Sequence, residues 1–264
     1  MDLQIEGKTA IVTGSTAGIG LAIAHLLAAE GASVVVNGRT EKRVDAAIRA
    51  IRKEHANARL TGVAADLSGA AGCAKLIEAA PTADILVNNV GIFEPKPFEK
   101  ITDEDWLGTF QANVMSGVRL SRHYLAGMRE RNWGRILFIS SESAVQIPAE
   151  MVHYGVTKTA QVALARGMAE GVAGTGITVN SVLAGPTRSE GVQTFLTNLS
   201  AQSGMEPADF EKQFFQSMRP SSLLKRFAST DEVANMVVYL ASPLASATTG
   251  AAVRVDGGVV RAIL

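Results

Sequence analysis

The sequence predicts an α/β protein built on a doubly wound, Rossmann-type parallel sheet of about seven strands, with helices on both faces. Short runs rich in valine and isoleucine recur along the chain, and a segment with helical spacing of apolar residues follows nearly every run. Such runs are typical of strands buried on both faces and joined by right-handed crossovers. Glycine-rich or polar residues follow several of the runs, and ligands of this fold class bind beyond the carboxyl ends of strands.

The predicted elements alternate in order along the chain. Predicted strands cover 9–12, 32–37, 60–65, 84–87, 135–140, 177–182 and 251–255. Predicted helices cover 21–30, 41–55, 69–80, 102–131 with a break or bend, 152–172 and 230–241. Residues 185–225 interrupt the alternation with Pro, Ser, Gly and aromatic residues, which predicts a substrate loop or lid inserted above the sheet.

Composition limits the class of protein. With 264 residues, of which 47% are hydrophobic, the chain can bury a sizeable core, and we expect one domain over 1–264. Lys and Arg together number 25, as do Asp and Glu, so no basic excess indicates nucleic-acid binding. Cys73 is the only cysteine, which excludes an intramolecular disulfide. No signal-peptide pattern or membrane-spanning apolar run is present, so we expect a cytoplasmic protein without a membrane partner.

A glycine-rich turn joins the first predicted strand to the first helix. Gly14, Gly18 and Gly20 lie within the segment Thr13–Gly20. Glycine tolerates positive φ and close approach of a ligand to the backbone, and the helix N-terminus that follows suits a phosphate. The same spacing also fits an ordinary connection between a strand and a helix.

Tyr154 and Lys158 lie four residues apart in a predicted helix and therefore share a face. A nearby ammonium favours the ionised phenol, so we expect a lowered pKa for Tyr154 and a proton donor and acceptor that works nearer neutrality. A solvated surface pair is the alternative. Ser140 and Ser141 end the fifth predicted strand and supply hydroxyl groups at the same edge of the sheet.

Several motifs follow one another in a specific order. They are TGSTAGIG at Thr13–Gly20, Asp66 with Leu67, NNVG at Asn88–Gly91, Asn113, Ser141, YGVTK at Tyr154–Lys158 and a late VDGG. With these motifs the sequence resembles the short-chain dehydrogenase/reductase family over essentially its whole length. The resemblance implies an NAD(P)-dependent oxidoreductase that interconverts a carbonyl and a secondary alcohol by hydride transfer.

The resemblance also implies a role for each of four catalytic residues. Tyr154 would be the general acid in reduction and the base in oxidation, and Ser141 would hydrogen-bond the substrate oxygen. Lys158 would lower the pKa of Tyr154 and hold the nicotinamide ribose. Asn113 would kink its helix and connect Lys158 to solvent through a water. Ser140 is the competing serine, and the spacing to Tyr154 favours Ser141.

Contacts to the dinucleotide are implied in the same way. The glycine turn would cradle the pyrophosphate, residues after the third and fourth strands would meet adenosine, and the loop after the sixth strand would meet the nicotinamide carboxamide. These residues are Gly14, Gly18, Ile19, Gly20, Asp66, Leu67, Asn88, Gly91, Gly185 and Thr187, with Tyr154 and Lys158 at the ribose.

The end of the second strand favours NADP over NAD. An acidic residue there would bind the ribose 2′-hydroxyl of NAD, but Gly38 and Arg39 occupy this place. A guanidinium suits a 2′-phosphate. A solvated loop arginine is the alternative, and Ala17 lacks the basic side chain that many NADP-using relatives carry there. An NAD-linked alcohol or sugar dehydrogenase and a non-catalytic dinucleotide sensor are the competing functions.

The sequence says less about the substrate and assembly. A 3-oxoacyl-type compound or a small ketone fits, with pocket walls expected from Phe93, Glu94, 143–149, Met151 and 189–218. Aromatic residues of the expected lid, such as Phe195, Phe210 and Phe214, could either line the pocket or form the packing face of the lid helices. We expect most of them to form the packing face. The four histidines lack ligand-like spacing, so we expect no metal site. Small residues of the predicted helix 152–172 (Ala160, Ala163, Gly167 and Gly171) and the apolar carboxyl-terminal tail predict a homotetramer.

Overall fold

A seven-stranded, all-parallel sheet forms the centre of the protein. The computed structural model describes residues 2–190, 192 and 207–263, without the side chains of residues 207, 208 and 210. The strand order is β3-β2-β1-β4-β5-β6-β7, which confirms the predicted doubly wound sheet. The strands are β1 (Thr9–Val12), β2 (Ser33–Gly38), β3 (Leu60–Ala64), β4 (Ile85–Asn88), β5 (Gly134–Ser141), β6 (Ile177–Ala184) and β7 (Ala252–Val255).

Helices cover both faces of the sheet. They are α1 (Gly18–Ala29), α2 (Glu41–Glu54), α3 (Ala70–Ala79), α4 (Asp103–Phe110), α5 (Ser116–Glu130), α6 (Val152–Gly171), α7 (Pro207–Ser217) and α8 (Thr230–Leu240). Short 3₁₀ turns lie at Phe98–Lys100, Glu142–Ala144, Ala149–Met151 and Pro243–Ala245. One apolar core joins α1, α2 and α8 to the sheet, and a second joins α3, α5 and α6 to the opposite face.

The two cores explain why the strands are apolar at nearly every position. Successive side chains of a strand point to opposite faces. Accordingly Ala10 and Val12 belong to the first core, whereas Ile11 between them belongs to the second. A sheet buried on both faces therefore needs apolar residues throughout, which is the pattern that predicted it.

The first helix begins earlier than predicted. It starts at Gly18 rather than at Leu21, so Gly18 and Gly20 lie in its first turn. The predicted boundary was wrong because glycine disfavours helix interiors, whereas the first turn tolerates it where a close approach requires it. The glycine turn and the N-terminus of α1 are consequently one structure.

The predicted break in the long fourth helix is confirmed. A π-helical turn, Gln111–Met115, separates α4 from α5 and contains Asn113. Such turns insert one residue into a helix and are frequent at functional sites. Upstream, Thr102 and Asp105 form a capping box at the start of α4.

Among the described residues, no helix combines the length and the apolar character that crossing a membrane demands.

Candidate active site

The glycine turn leaves an uncovered helix N-terminus at the carboxyl end of β1. Gly14 and Gly18 have φ of +61° and +57°, which favour glycine. Ala17 precedes α1, and no side chain caps the helix. A Cβ atom added at Gly20 would lie 2.4 Å from Asn89 Nδ2 and 2.5 Å from the Gly14 carbonyl oxygen. The turn therefore requires glycine at position 20, and its shape and dipole suit a phosphate group.

Three polar side chains hold this turn, and sequence reasoning did not single them out. The backbone N–H of Asn89 donates to Thr13 Oγ1 at 2.8 Å, and Asn89 Nδ2 donates to the Thr13 carbonyl at 2.9 Å. The N–H of Gly14 donates to Asn37 Oδ1 at 3.1 Å. Asn89 lies inside the NNVG motif, so its position was the available signal.

Arg39 and Asp66 lie at the neighbouring ends of β2 and β3. Arg39 is exposed, and a Cβ atom at Gly38 would lie 2.3 Å from Thr16 Cγ2, which leaves no room for an acidic side chain there. Hydrogen bonds from Ser68 to the Asp66 carboxylate lower the pKa of Asp66, and the charge of Arg39 lowers it further. Leu67 is buried in the second core, so only its backbone can meet a ligand.

Asn88 lies at the carboxyl end of β4 and turns its side chain into the protein. It is buried, and its Nδ2 donates to Ser121 Oγ in α5 at 3.2 Å. Its side chain therefore packs between β4 and α5, and its expected place beside the adenosine stays a prediction. The neighbouring Asn89 reaches the glycine turn instead.

A cavity of about 240 Å³ opens at the carboxyl edge of the sheet. Seven of the predicted site residues line it: Ile19, Gly91, Ser141, Tyr154, Lys158, Gly185 and Thr187. The other predicted site residues, which lie outside its lining, are Gly14, Gly18, Gly20, Arg39, Asp66, Leu67, Asn88 and Asn113. Of the expected pocket walls, neither Glu94 nor residues 144–149 line the cavity. Those that line it are Phe93, Ser143, Met151, Ser189, Val192, Phe214 and Met218.

Gly91 and Gly185 let the chain pass closely along this cavity. A Cβ atom at Gly91 would lie 3.2 Å from Lys158 Nζ. A Cβ atom at Gly185 would lie 2.5 Å from the carbonyl oxygen of Asp256, a residue of the VDGG motif. Thr187 is buried, and its Oγ1 donates to the Gly185 carbonyl at 2.9 Å. The loop after β6 is thus held against the chain that follows β7.

The two candidate serines have different surroundings. The Ser140 hydroxyl donates to the Lys158 carbonyl oxygen at 2.9 Å, which fixes α6 against β5. The Ser141 hydroxyl donates to the Glu142 carboxylate and accepts from the Ser143 N–H at 3.1 Å. A hydrogen bond with the Ser141 side chain also influences the pKa of Tyr154. Ser141 is therefore the serine beside the phenol.

The pKa of Tyr154 is raised, and the expectation that it would be lowered is wrong. Burial is the main cause, and the negative charge of Glu142 adds to it. Ser141 and the more distant charge of Arg219 act in the opposite direction. The phenol therefore stays protonated at neutral pH in this structure.

Lys158 does not lower the pKa of Tyr154, and two neutral acceptors hold its ammonium. Nζ donates to the Ile139 carbonyl at 2.8 Å and to Gln161 Oε1 at 3.2 Å, and it lies 5.5 Å from the centroid of the Tyr154 ring. Burial lowers the pKa of Lys158 to about 8. Because this pKa lies below the raised pKa of Tyr154, the ammonium loses its charge before the phenol ionises.

Asn113 is tied to α6 by side chains. Its Oδ1 accepts from the Ile92 N–H at 2.7 Å, and its Nδ2 donates to Thr157 Oγ1 at 3.0 Å. Its main-chain carbonyl accepts from Gln161 Nε2 at 2.5 Å. The carboxamide of Gln161 therefore spans from the Asn113 carbonyl to the Lys158 ammonium, and the expected water between Lys158 and solvent stays a prediction.

An ion cluster, which the sequence did not predict, completes the cavity wall. Arg219 Nε lies 2.9 Å from Glu142 Oε1, and Arg219 Nη1 lies 3.4 Å from Glu150 Oε1. Glu142 and Arg219 are buried, and all three side chains line the cavity. We call Glu142, Glu150 and Arg219 the acidic wall, because two carboxylates share one guanidinium.

Comparison with known proteins identifies the family. The family described as enoyl-(acyl carrier protein) reductase matches residues 14–260. The uncharacterized oxidoreductase YvaG of Bacillus subtilis is 47% identical over 100% of both chains. This chain belongs to the short-chain dehydrogenase/reductase family.

Relatives in this family include enzymes with named substrates. The D-beta-hydroxybutyrate dehydrogenase of Cupriavidus necator is 33% identical over 97% of this chain and 98% of its own. The structure of L-sorbose reductase from Gluconobacter frateurii, complexed with NADPH and L-sorbose, superposes with a TM-score of 0.94 over 100% of both chains, at 33% identity. The present short-chain dehydrogenase/reductase is accordingly an NAD(P)-dependent oxidoreductase for carbonyl and alcohol groups.

In this short-chain dehydrogenase/reductase, aromatic residues within and just after the segment 185–225 pack against one another. The rings of Phe214 and Phe215 lie with centroids 5.0 and 5.1 Å from that of Phe227. Phe214 and Phe227 also line the cavity, so they serve both of the expected purposes. Phe195 and the Phe210 side chain lie outside the described residues.

One cluster with ligand-type side chains lies away from the cavity lining. The ligand atoms of His25, Glu54 and His55 lie within 4.8 Å of one another, although the sequence spacing did not suggest a metal site. His25 and Glu54 are 3.7 Å apart and form a surface pair.

Proposed function

We propose that this enzyme is an NADPH-dependent reductase that converts a ketone to a secondary alcohol. The observation that carries the proposal is the meeting of Tyr154, Ser141 and Lys158 in one cavity. That cavity also includes Ile19 from the first turn of α1 and Gly185 from the loop after β6. The proposed proton donor and one end of the proposed phosphate-binding turn therefore line the same cavity.

The residues at the glycine turn fit a dinucleotide. The uncapped N-terminus of α1 and the bare Gly20 would hold the pyrophosphate, because a side chain there would fill the cradle. Arg39 is exposed next to Gly38, which has no side chain, and its guanidinium would bind a 2′-phosphate. The L-sorbose reductase with NADPH supports the same choice. Asp66 and the Leu67 backbone would meet the adenine.

The side chains of the cavity support a reduction mechanism. A bound nicotinamide would supply a hydride to the carbonyl carbon. Tyr154 would donate its proton to the carbonyl oxygen, and its raised pKa keeps it in the required form. Ser141 would turn its hydroxyl from Glu142 to the same oxygen and stabilise the developing charge. Lys158, held by Gln161 and through it by Asn113, would bind the nicotinamide ribose.

A panel of neutral and charged ketones, assayed with NADPH and with NADH, tests the proposal. We expect oxidation of NADPH by at least one ketone, with a higher kcat/KM for NADPH than for NADH. Higher efficiency with NADH would favour an NAD-linked dehydrogenase. Tight NADPH binding without turnover of any ketone would favour a dinucleotide sensor and contradict the proposal.

We infer that the enzyme works as a cytoplasmic homotetramer in which α6 packs against a second copy. Val156, Ala163, Gly167 and Gly171 lie on α6 at helical spacing and are exposed. Leu107 on α4, a helix that packs against α6, is 65% exposed. Small residues permit close helix approach, and exposed apolar patches mark interaction surfaces. A monomeric mass in light scattering at micromolar concentration would contradict this assembly.

A further inference from the structure

The acidic wall stands beside the proposed proton donor rather than at the surface. Glu142 follows Ser141 directly in the chain, and its Oε1 accepts from Arg219 Nε at 2.9 Å. Glu142 is 4% exposed and Arg219 is 8% exposed. Arg219 follows α7, 77 residues further along the chain, and closes this side of the cavity. A substrate that reaches Tyr154 therefore contacts or passes these charges.

The charges of the acidic wall do not balance. Glu142 and Glu150 each carry a negative charge, and Arg219 is the single cation between them. Arg219 Nε is engaged by Glu142, and Nη1 is shared between Glu150 and the Met218 carbonyl. The wall therefore has an excess of one negative charge. Lys158, the other cation of the lining, lies beside the Tyr154 ring and donates to the neutral acceptors Ile139 and Gln161, so the negative excess is local to the wall.

This negative charge acts on the reacting end of the cavity. Glu142 contributes to the raised pKa of Tyr154, so its field reaches the phenol. A carboxylate substrate would bring a like charge to a partly desolvated site, where like charges interact strongly. The guanidinium that could pair with such a substrate is already bound to two carboxylates.

The wall retains acceptors for hydrogen-bond donors. Among the residues that the structure describes, Glu150 Oε1 bonds to Arg219, and Oε2 has no hydrogen-bond partner. The Glu150 side chain is 38% exposed and therefore reachable. Phe93, Met151 and Phe214 give the cavity apolar surface as well. A neutral molecule with a hydroxyl group and a carbon chain satisfies both kinds of surface.

We propose that the substrate is a neutral ketone that carries a hydroxyl group, which donates to Glu150, and that the acidic wall excludes ketones that carry a carboxylate. This inference rests on the proposed function and specifies its substrate class. Glu142 and Glu150 are then specificity-determining residues, whereas Tyr154 and Ser141 serve the reaction.

Three ketones of similar size test this selectivity: 1-hydroxybutan-2-one, 3-pentanone and 2-oxobutanoate. They differ in one group, which is a hydroxymethyl, an ethyl and a carboxylate respectively. We expect kcat/KM with NADPH to be at least about tenfold higher for the hydroxyketone than for either of the others. Glu150→Gln should lower the preference over 2-oxobutanoate by about tenfold, because it removes one negative charge.

Glu78→Gln is the matched control, since Glu78 is an exposed residue of α3 outside the cavity lining. It should leave both preferences unchanged. Three results would overturn the inference while leaving a ketone reductase in place. Wild type could prefer 2-oxobutanoate, or it could show equal kcat/KM for 3-pentanone and the hydroxyketone. Glu150→Gln could also show the same preference over 2-oxobutanoate as wild type. Absence of NADPH oxidation with every ketone of the wider panel would instead refute the proposed function and this inference together.

Discussion

The hydroxyl group of Ser141 donates a hydrogen bond to the carboxylate of Glu142, the next residue in the chain. Glu142 is held in turn by Arg219. The serine proposed to hydrogen-bond the substrate is therefore oriented by a buried carboxylate, which also helps to keep Tyr154 protonated. Proton supply and charge selectivity consequently depend on the same side chain.

Glu142→Gln should move the alkaline limb of the pH profile for ketone reduction to lower pH. Reduction needs the protonated phenol, so the rate falls as pH rises through the pKa of Tyr154. The Glu142 charge helps to raise that pKa, and its removal lowers it. The measurement is kcat/KM against pH, with the exposed Glu99→Gln as the control. Superimposable limbs for Glu142→Gln and wild type would show that this charge does not act on Tyr154.

Gln161→Met should destabilise the fold by about 1–3 kcal/mol, because it leaves the buried Asn113 carbonyl without its partner. Lys158 also loses one of its two acceptors. Urea unfolding measures the free-energy change. Gln216→Met, at an exposed position of α7, should cost much less. Equal stability of the two variants would mean that the Gln161 bridge contributes nothing.

The free energy of unfolding of wild type should rise with pH between about pH 8 and pH 10, and Lys158→Met should abolish this rise. Burial lowers the pKa of Lys158 from 10.5 to about 8 in the folded protein. Across this range the unfolded chain binds more protons than the folded one, so the free energy of unfolding rises with pH, by on the order of 3 kcal/mol over the whole interval. Below about pH 8 this contribution is flat, since both states are protonated.

The difference between wild type and Lys158→Met removes the contribution to the pH dependence of all titratable groups that both proteins share. The raised pKa of Tyr154 acts with the opposite sign above its ordinary value of 10.0, which sets the upper limit of the useful range. Parallel curves of unfolding free energy against pH for the two proteins would show that Lys158 keeps its ordinary pKa.

Arg39→Ala should lower kcat/KM for NADPH by at least about tenfold and leave that for NADH nearly unchanged, because a charge-assisted contact to the 2′-phosphate is lost. Arg49→Ala, an exposed position of α2, is the matched control. An equal loss with both dinucleotides would assign Arg39 a structural role instead.

The sheet could be predicted because it depends on local pattern, and the seven predicted residues of the cavity because their motifs resemble those of a known family. Strands buried on both faces need unbroken apolar runs, and the residues that follow them meet at one edge. The acidic wall could not be predicted in this way. Glu142 and Arg219 are 77 residues apart, and only the return of the chain after α7 brings them together. Asn88 and Asn89 illustrate the same limit, since adjacent residues of one motif point to different partners.

The expected pKa of Tyr154 failed for a related reason. The spacing of Tyr154 and Lys158 places their side chains on one helix face, but the acceptors on Lys158 come from β5 and from Gln161. Burial and the Glu142 charge then outweigh the opposite effects of Ser141 and Arg219 on the pKa of Tyr154, and the Lys158 ammonium does not lower it. A sequence motif specifies which groups meet, whereas desolvation depends on everything packed around them.

The most direct test of the account is a paired measurement of NADPH binding and ketone reduction in Tyr154→Phe. If Tyr154 is the proton donor, the Kd for NADPH should stay within about threefold of wild type while kcat falls by at least about a hundredfold. Retention of kcat within about tenfold of wild type, at unchanged Kd, would contradict the account, because the reaction would then not need the phenol.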